Sequence, residues 1–173
     1  MYERNFPKKR YQVTIDFMLK HQQPPKTILD LGVKNPFCEI MEKKGYKVQN
    51  TKGEDLDLDF TSLTNSNVEI TTAFEIFEHL LAPFNALRNI KSEYLFASIP
   101  LKLWFSSAYR SKTDPWDRHY HEFEDWQFDW LLDKSGWEII DAVKFTNPVH
   151  KIGFRPILRK FTPRYYLVYC KRK

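Results

Sequence analysis

The chain has 173 residues, 42% hydrophobic and 16% aromatic, which suffices for one packed core and excludes an extended disordered protein or two ordinary domains. No apolar stretch is long enough to cross a bilayer, and Met1 to Arg10 is polar and charged, without the apolar region of a secretory leader, so a cytoplasmic location is expected. The net charge of +5 is concentrated at the ends, in Lys8, Lys9 and Arg10 and in Lys171, Arg172 and Lys173; a solvated basic tail accounts for it, contact with an anionic partner is the other reading, and nucleic acid is not favoured.

Tyr11 to His21 carries apolar residues at Val13, Ile15, Phe17, Met18 and Leu19 and reads as a helix covering a sheet edge, ending before Gln22 to Pro25. Ile28 to Leu31 is a short apolar run with one carboxylate, as in a buried parallel strand, and Gly32 marks a tight turn. Asn35 and Pro36 then open a helix as N-cap and first residue, and Gly45 stops it after Lys43 and Lys44. Tyr46 to Gln49 is read as a second strand, and Asp55 to Phe60, alternating Asp and Leu with period two, as another.

Val68 to Phe74 is rich in β-branched residues and reads as a strand, followed by an amphipathic helix from Ala82 to Ile90 with Pro83 near its start. Tyr94 to Ile99 is an apolar strand closed by Pro100, and Phe123 to Ser135 a helix capped by Gly136. Trp137 to Phe145 and Tyr165 to Cys170 are the last strands, joined by Thr146 to Arg164, which forms a long hairpin loop or carries a short helix. The alternation predicts a single α/β domain over residues 1–173, its sheet mostly parallel with an antiparallel C-terminal edge. Cys38 and Cys170 lack metal-type spacing and are expected to be buried or inert thiols in a reducing compartment.

In sheets of this kind the first strand-to-helix turn is where a nucleotide cofactor sits. Asp30 and Gly32, then Phe74-Glu75-Ile76-Phe77-Glu78-His79-Leu80 with Pro83, Ala86 and Leu87, then Phe96-Ala97-Ser98-Ile99-Pro100, His119-Tyr120-His121-Glu122-Phe123, and Leu131, Gly136 and Trp137 together resemble, in order, the segments of a class I S-adenosylmethionine-dependent methyltransferase of the small-molecule type. The resemblance spans nearly the whole chain and implies a Rossmann-like three-layer α/β/α fold. It also implies S-adenosylmethionine as cofactor and a small-molecule, lipid or sugar acceptor. It places Asp30 and Gly32 at the amino acid end of the cofactor, Glu54 or Asp55 at adenine, and Glu75 facing the methyl group. The chain departs from the family at Lys34 and Pro36, where later glycines would stand. It departs again at Thr51 or Lys52, where an acid would meet the ribose, and in the missing helix between the second and third strands, so the sheet is expected to be truncated there. A methyltransferase-like module that no longer holds the cofactor is the alternative function.

His119 or His121 could act as general base towards an acceptor hydroxyl. With Asp117 and Glu122 they could also ligate a metal, since an HxH on a strand turns both rings to one face; the spacing is weakly specific, and no metal site is expected. Trp104, Phe105, Tyr109, Trp116 and Tyr120 crowd the region after the fifth strand of the family pattern, either as an acceptor pocket or as a cap packing its own aromatics.

Overall fold

Ile28 and Leu29 are neighbours in the chain and both are buried, yet they belong to different cores, because successive side chains of a strand point to opposite faces of its sheet. The computed structural model describes residues 7–114, 117–146, 158 and 161–173. Its strands are β1 (Thr27–Asp30), β2 (Lys47–Asn50), β3 (Ile70–Phe74), β4 (Tyr94–Pro100), β5 (Trp137–Phe145) and β6 (Tyr165–Arg172). They form a six-stranded sheet in the order β2-β1-β3-β4-β6-β5. The first four are parallel, and β6 runs antiparallel to both β4 and β5.

Helices α1 (Lys8–His21) and α2 (Pro36–Lys43) cover one face, where Ile15, Met18, Cys38 and Met41 pack with Ile28, Ile70, Phe96 and Leu167. Helices α3 (Thr61–Asn65), α4 (Pro83–Asn89) and α5 (Asp125–Lys134) cover the other, where Leu63, Leu87, Phe128 and Leu132 pack with Leu29, Ala73, Leu95, Ala97 and Val168. The expected Rossmann-like α/β architecture with an antiparallel C-terminal edge is therefore present. Asn35 caps α2 as its sequence predicts, its side-chain oxygen accepting from the Phe37 N–H at 2.9 Å.

The expected strand at Asp55 to Phe60 does not form, and the sheet ends at β2. Its alternating aspartates bind backbone amides instead, a local competitor of ladder pairing. Asp55 Oδ1 accepts from the Asp57 N–H and Asp59 Oδ1 from the Thr61 N–H, each at 2.9 Å, which opens the unpredicted helix α3. Asp57 reaches across to the start of α4, where its two oxygens accept from the Leu81 and Ala82 N–H groups at 2.8 Å. Of the intervening leucines Leu56 is buried and Leu58 is 81% exposed, so the period of two records turn chemistry with one apolar anchor.

Lys171 and Arg172 are the end of β6, and the basic C-terminus, though its two lysines are exposed, is held to the rest of the protein. Arg172 lies 4.5 Å over the Trp137 ring and donates to the Ile90 and Ser92 carbonyls, while Lys171 pairs with Glu93 at 3.6 Å and Lys173 with Asp133. Most of the Thr146 to Arg164 connection lies outside the described residues. Both cysteines are buried and free, and among the described residues no helix is long and apolar enough to cross a membrane.

Because Asp57 satisfies two backbone N–H groups on the entry to α4, Asp57→Ala is expected to lower the unfolding free energy by about 1–2 kcal/mol, and Asp57→Asn, which can still accept, by less. Urea denaturation of the three proteins measures both.

Candidate functional site

At the carboxyl end of β1 the chain turns at Gly32, whose φ of +109° lies where L side chains are strained. Just before it, Asp30 is 3% exposed and is held from three directions. Thr72 on β3 donates its hydroxyl to Oδ1 at 2.6 Å; Asn50 at the end of β2 and the Cys38 thiol on α2 donate to Oδ2 at 3.1 and 3.2 Å. Burial raises the carboxyl's pKa, and the Thr72, Cys38 and Asn50 hydrogen bonds act against that shift. The neighbouring loop is tied in as well: Gly32 N–H donates to Thr51 Oγ1 at 2.7 Å, and Asn50 Nδ2 donates to the Gly32 carbonyl at 3.3 Å.

Glu54 is half-buried just beyond β2, one oxygen accepting from the Lys52 N–H at 2.6 Å. Asp55 is exposed and holds its own turn. Without a third strand beyond β2, the adenine contact that the resemblance assigned to Glu54 or Asp55 loses the element that would have placed it. A side chain on Gly53 would come within 3.2 Å of Val33 Cγ1, so the loops after β1 and β2 approach closely.

The other half of the site follows β3. Glu75 adopts φ +59°, rare for a residue with a side chain. Its N–H donates to the Ser98 carbonyl at 2.9 Å, its Oε1 accepts from the Ser98 hydroxyl at 2.9 Å, and Arg10 of α1 lies 3.6 Å from Oε2. Three residues on, in a single 3-10 turn (Phe77–His79), Glu78 is buried. Burial raises the pKa of both acids, that of Glu78 further because of the adjacent Glu75 charge.

The excursion between β4 and α5 folds back onto this turn, with the Tyr120 and His121 N–H groups donating to the Glu78 carbonyl at 2.8 and 3.2 Å. That places the His119 ring 4.7 Å from the His79 ring. The two candidate histidines diverge, because this segment is not a strand: His119 meets His79, whereas His121 Nε2 lies 3.3 Å from the Leu81 carbonyl. Burial lowers the His119 pKa to about 4, so its ring is uncharged at neutral pH and serves as a lone-pair donor more readily than as a strong base.

Beside His119 a cleft of about 500 Å³ is lined by Arg110, Ser111, Lys112, Arg118 and Tyr120. Among the crowded aromatics, Trp104 and Phe105 meet edge to face at 5.2 Å while Trp104 stays 73% exposed, Tyr109 and Tyr120 are exposed, and Trp116 lies outside the described residues. Asn50, Thr72 and Ser98 escape a sequence reading because their partners are 20 or more residues away, whereas Glu78 carried a signal through the Glu-His pair.

No protein-family model and no curated protein matches the sequence. Solved structures do match. A SAM-dependent methyltransferase from Archaeoglobus fulgidus superposes with a TM-score of 0.66 at 14% identity, covering 96% of this chain and 94% of that one. The fold is that of a class I methyltransferase. A SAM-dependent methyltransferase from Thermotoga maritima has a TM-score of 0.59 at 15% identity over 99% and 94% of the two chains, and the (4+2)-cyclase SpnF also 0.59, at 13% identity over 95% and 82%. The methyltransferase fold implies S-adenosylmethionine, and the residues present fit it at the left-handed turn of Gly32 and at the Glu54 carboxylate, while Asn50 and Thr51 are committed to β1.

Removing the Thr72 hydroxyl leaves Asp30 Oδ1 without that donor and raises the carboxyl's folded pKa further. A raised carboxyl pKa contributes stability that is present below its unfolded value and is lost as pH rises through the folded one. Thr72→Val is therefore expected to cost about 1–3 kcal/mol at neutral pH and less near pH 4. Denaturant titrations at the two pH values test the sign.

Proposed function

We propose that the protein is an S-adenosylmethionine-dependent methyltransferase acting on a small-molecule, lipid or sugar acceptor. The observation that carries this reading is the pairing of the left-handed Gly32 turn with the strained Glu75 and the Glu78-His79 turn at the carboxyl ends of adjacent parallel strands, where ligands of open α/β sheets bind. The cofactor supplies an electrophilic methyl group when bound. The Asp30 to Asn35 turn holds its amino acid end, Glu54, in place of the adenine contact the resemblance gave it, accepts from the ribose hydroxyls, and Glu75 borders the methyl position.

The protein contributes chiefly by placing the acceptor in line and excluding water. His79 and His119 border the acceptor's side, and the cleft with Arg110, Lys112 and Arg118 suits an acceptor bearing a carboxylate or phosphate.

A second reading, a methyltransferase-like binding module without the cofactor, is favoured by one observation. Asp30 and the Gly32 N–H, which would stand at the cofactor's amino acid end, are satisfied within the protein. The same fold in a cyclase supports keeping activity separate from architecture.

Calorimetry with S-adenosylhomocysteine distinguishes the two. On the methyltransferase reading one molecule binds per chain, Glu54→Ala weakens binding about tenfold or more, as loss of a charged hydrogen bond implies, and Gly32→Trp abolishes it. Absence of heat and of thermal shift at millimolar ligand, with the protein folded, leaves the module.

A further inference from the structure

Glu78, His79 and His119 each offer one ligand atom, and these atoms lie within 4.8 Å of one another. Two features mark the cluster as more than a chance grouping. Glu78 Oε2 is buried without a hydrogen-bond partner, the Glu78 side chain is only 1% exposed, and its other oxygen, Oε1, lies 3.8 Å from His79 Nε2, so the carboxylate at the cluster is left incompletely satisfied. His79 is also oriented as metal ligands are: its Nδ1 lies 2.9 Å from the Arg118 carbonyl, which only accepts, so Nδ1 carries the hydrogen and Nε2 presents its lone pair to the cluster.

A simple ion pair explains the arrangement less well. His79 Nε2 is 3.8 Å from Glu78 Oε1, beyond hydrogen-bond distance, and the His79 and His119 rings meet edge to face at 89°. Glu75 offers no relief to Glu78, being a second acid already engaged with Ser98 and Arg10.

We propose that Glu78, His79 and His119 bind one divalent transition-metal ion. Bonds of about 2.0–2.2 Å in a tetrahedron put neighbouring ligand atoms about 3.4 Å apart, so the cluster closes by about an ångström on the ion, a movement available to the half-exposed His119 ring. Two imidazole nitrogens and one carboxylate oxygen select zinc, cobalt or a similar ion over magnesium. Three protein ligands leave a position open to water or substrate, the pattern of catalytic sites. On the methyl-transfer reading, on which this last step rests, an acceptor oxygen takes that position and its proton becomes more acidic. The HxH spacing pointed elsewhere because the second histidine of the cluster comes from the turn after β3.

The test uses the untagged full chain, stripped with chelator and titrated with cobalt chloride alone. The expected result is one ion per chain with the visible absorption of a four- or five-coordinate cobalt site. That absorption is lost in His79→Ala and His119→Ala and weakened in the near-isosteric Glu78→Gln, but retained in His121→Ala, with circular dichroism verifying that each variant is folded. A folded wild-type chain that gives no saturable absorption up to millimolar cobalt, or absorption that survives both His79→Ala and His119→Ala, overturns the proposal. The readout needs neither cofactor nor acceptor, so its failure leaves methyl transfer standing, and a failure to bind S-adenosylhomocysteine leaves the ion.

Discussion

The buried carboxylate of Asp30 fixes the geometry on which the rest of the site depends. A charge-bearing group at 3% exposure is tolerated only when its oxygens are occupied, and here the donors come from three different elements: Thr72 of β3, Asn50 of β2 and Cys38 of α2. One side chain thus sets the relative positions of three adjacent strand ends and the helix that follows the first. The left-handed turn at Gly32 and the loop after β2 are carried by the same network through Asn50 and Thr51. The turns above these strand ends are consequently anchored by hydrogen bonds from the core.

On the far side of β1 the arrangement differs. Glu75 and Glu78 sit on a tight, strained connection and are close enough for the charge of one to raise the pKa of the other. The excursion that carries His119 is fastened to that connection through backbone amides, so the histidine is positioned by main-chain hydrogen bonds that its own side chain does not make. The half of the site nearest β2 has become self-satisfied, while the half nearest β4 retains an unpartnered acid and a lone-pair-bearing imidazole.

Most of the architecture was legible in the sequence, because the signals were local: Asn35 and Pro36 start α2, the apolar runs from Ile28 and Tyr94 are buried strands, and Gly136 follows α5. The stretch from Asp55 to Phe60 misled for a physical reason, since aspartates alternating with leucines satisfy a strand's period while each carboxylate is bonding a backbone amide. At the basic C-terminus, charge counts do not reveal that Arg172 stacks on Trp137 between two exposed lysines. The site was only half legible. Asp30, Gly32 and Glu75 fall at the carboxyl ends of β1 and β3, as the strand pattern led one to expect, but Thr72, Asn50 and the meeting of His79 with His119 depend on pairings between segments remote in sequence.

The central claim is that the turns after β1, β2 and β3 hold the ligand. Hydrogen–deuterium exchange with and without saturating S-adenosylhomocysteine tests it most directly, since it locates binding as well as detecting it. The account predicts slower exchange in residues 31–35, 51–54 and 75–79, with the sheet's antiparallel edge unchanged. Exchange that is unaltered in all three segments, or protection confined to another surface, would contradict it.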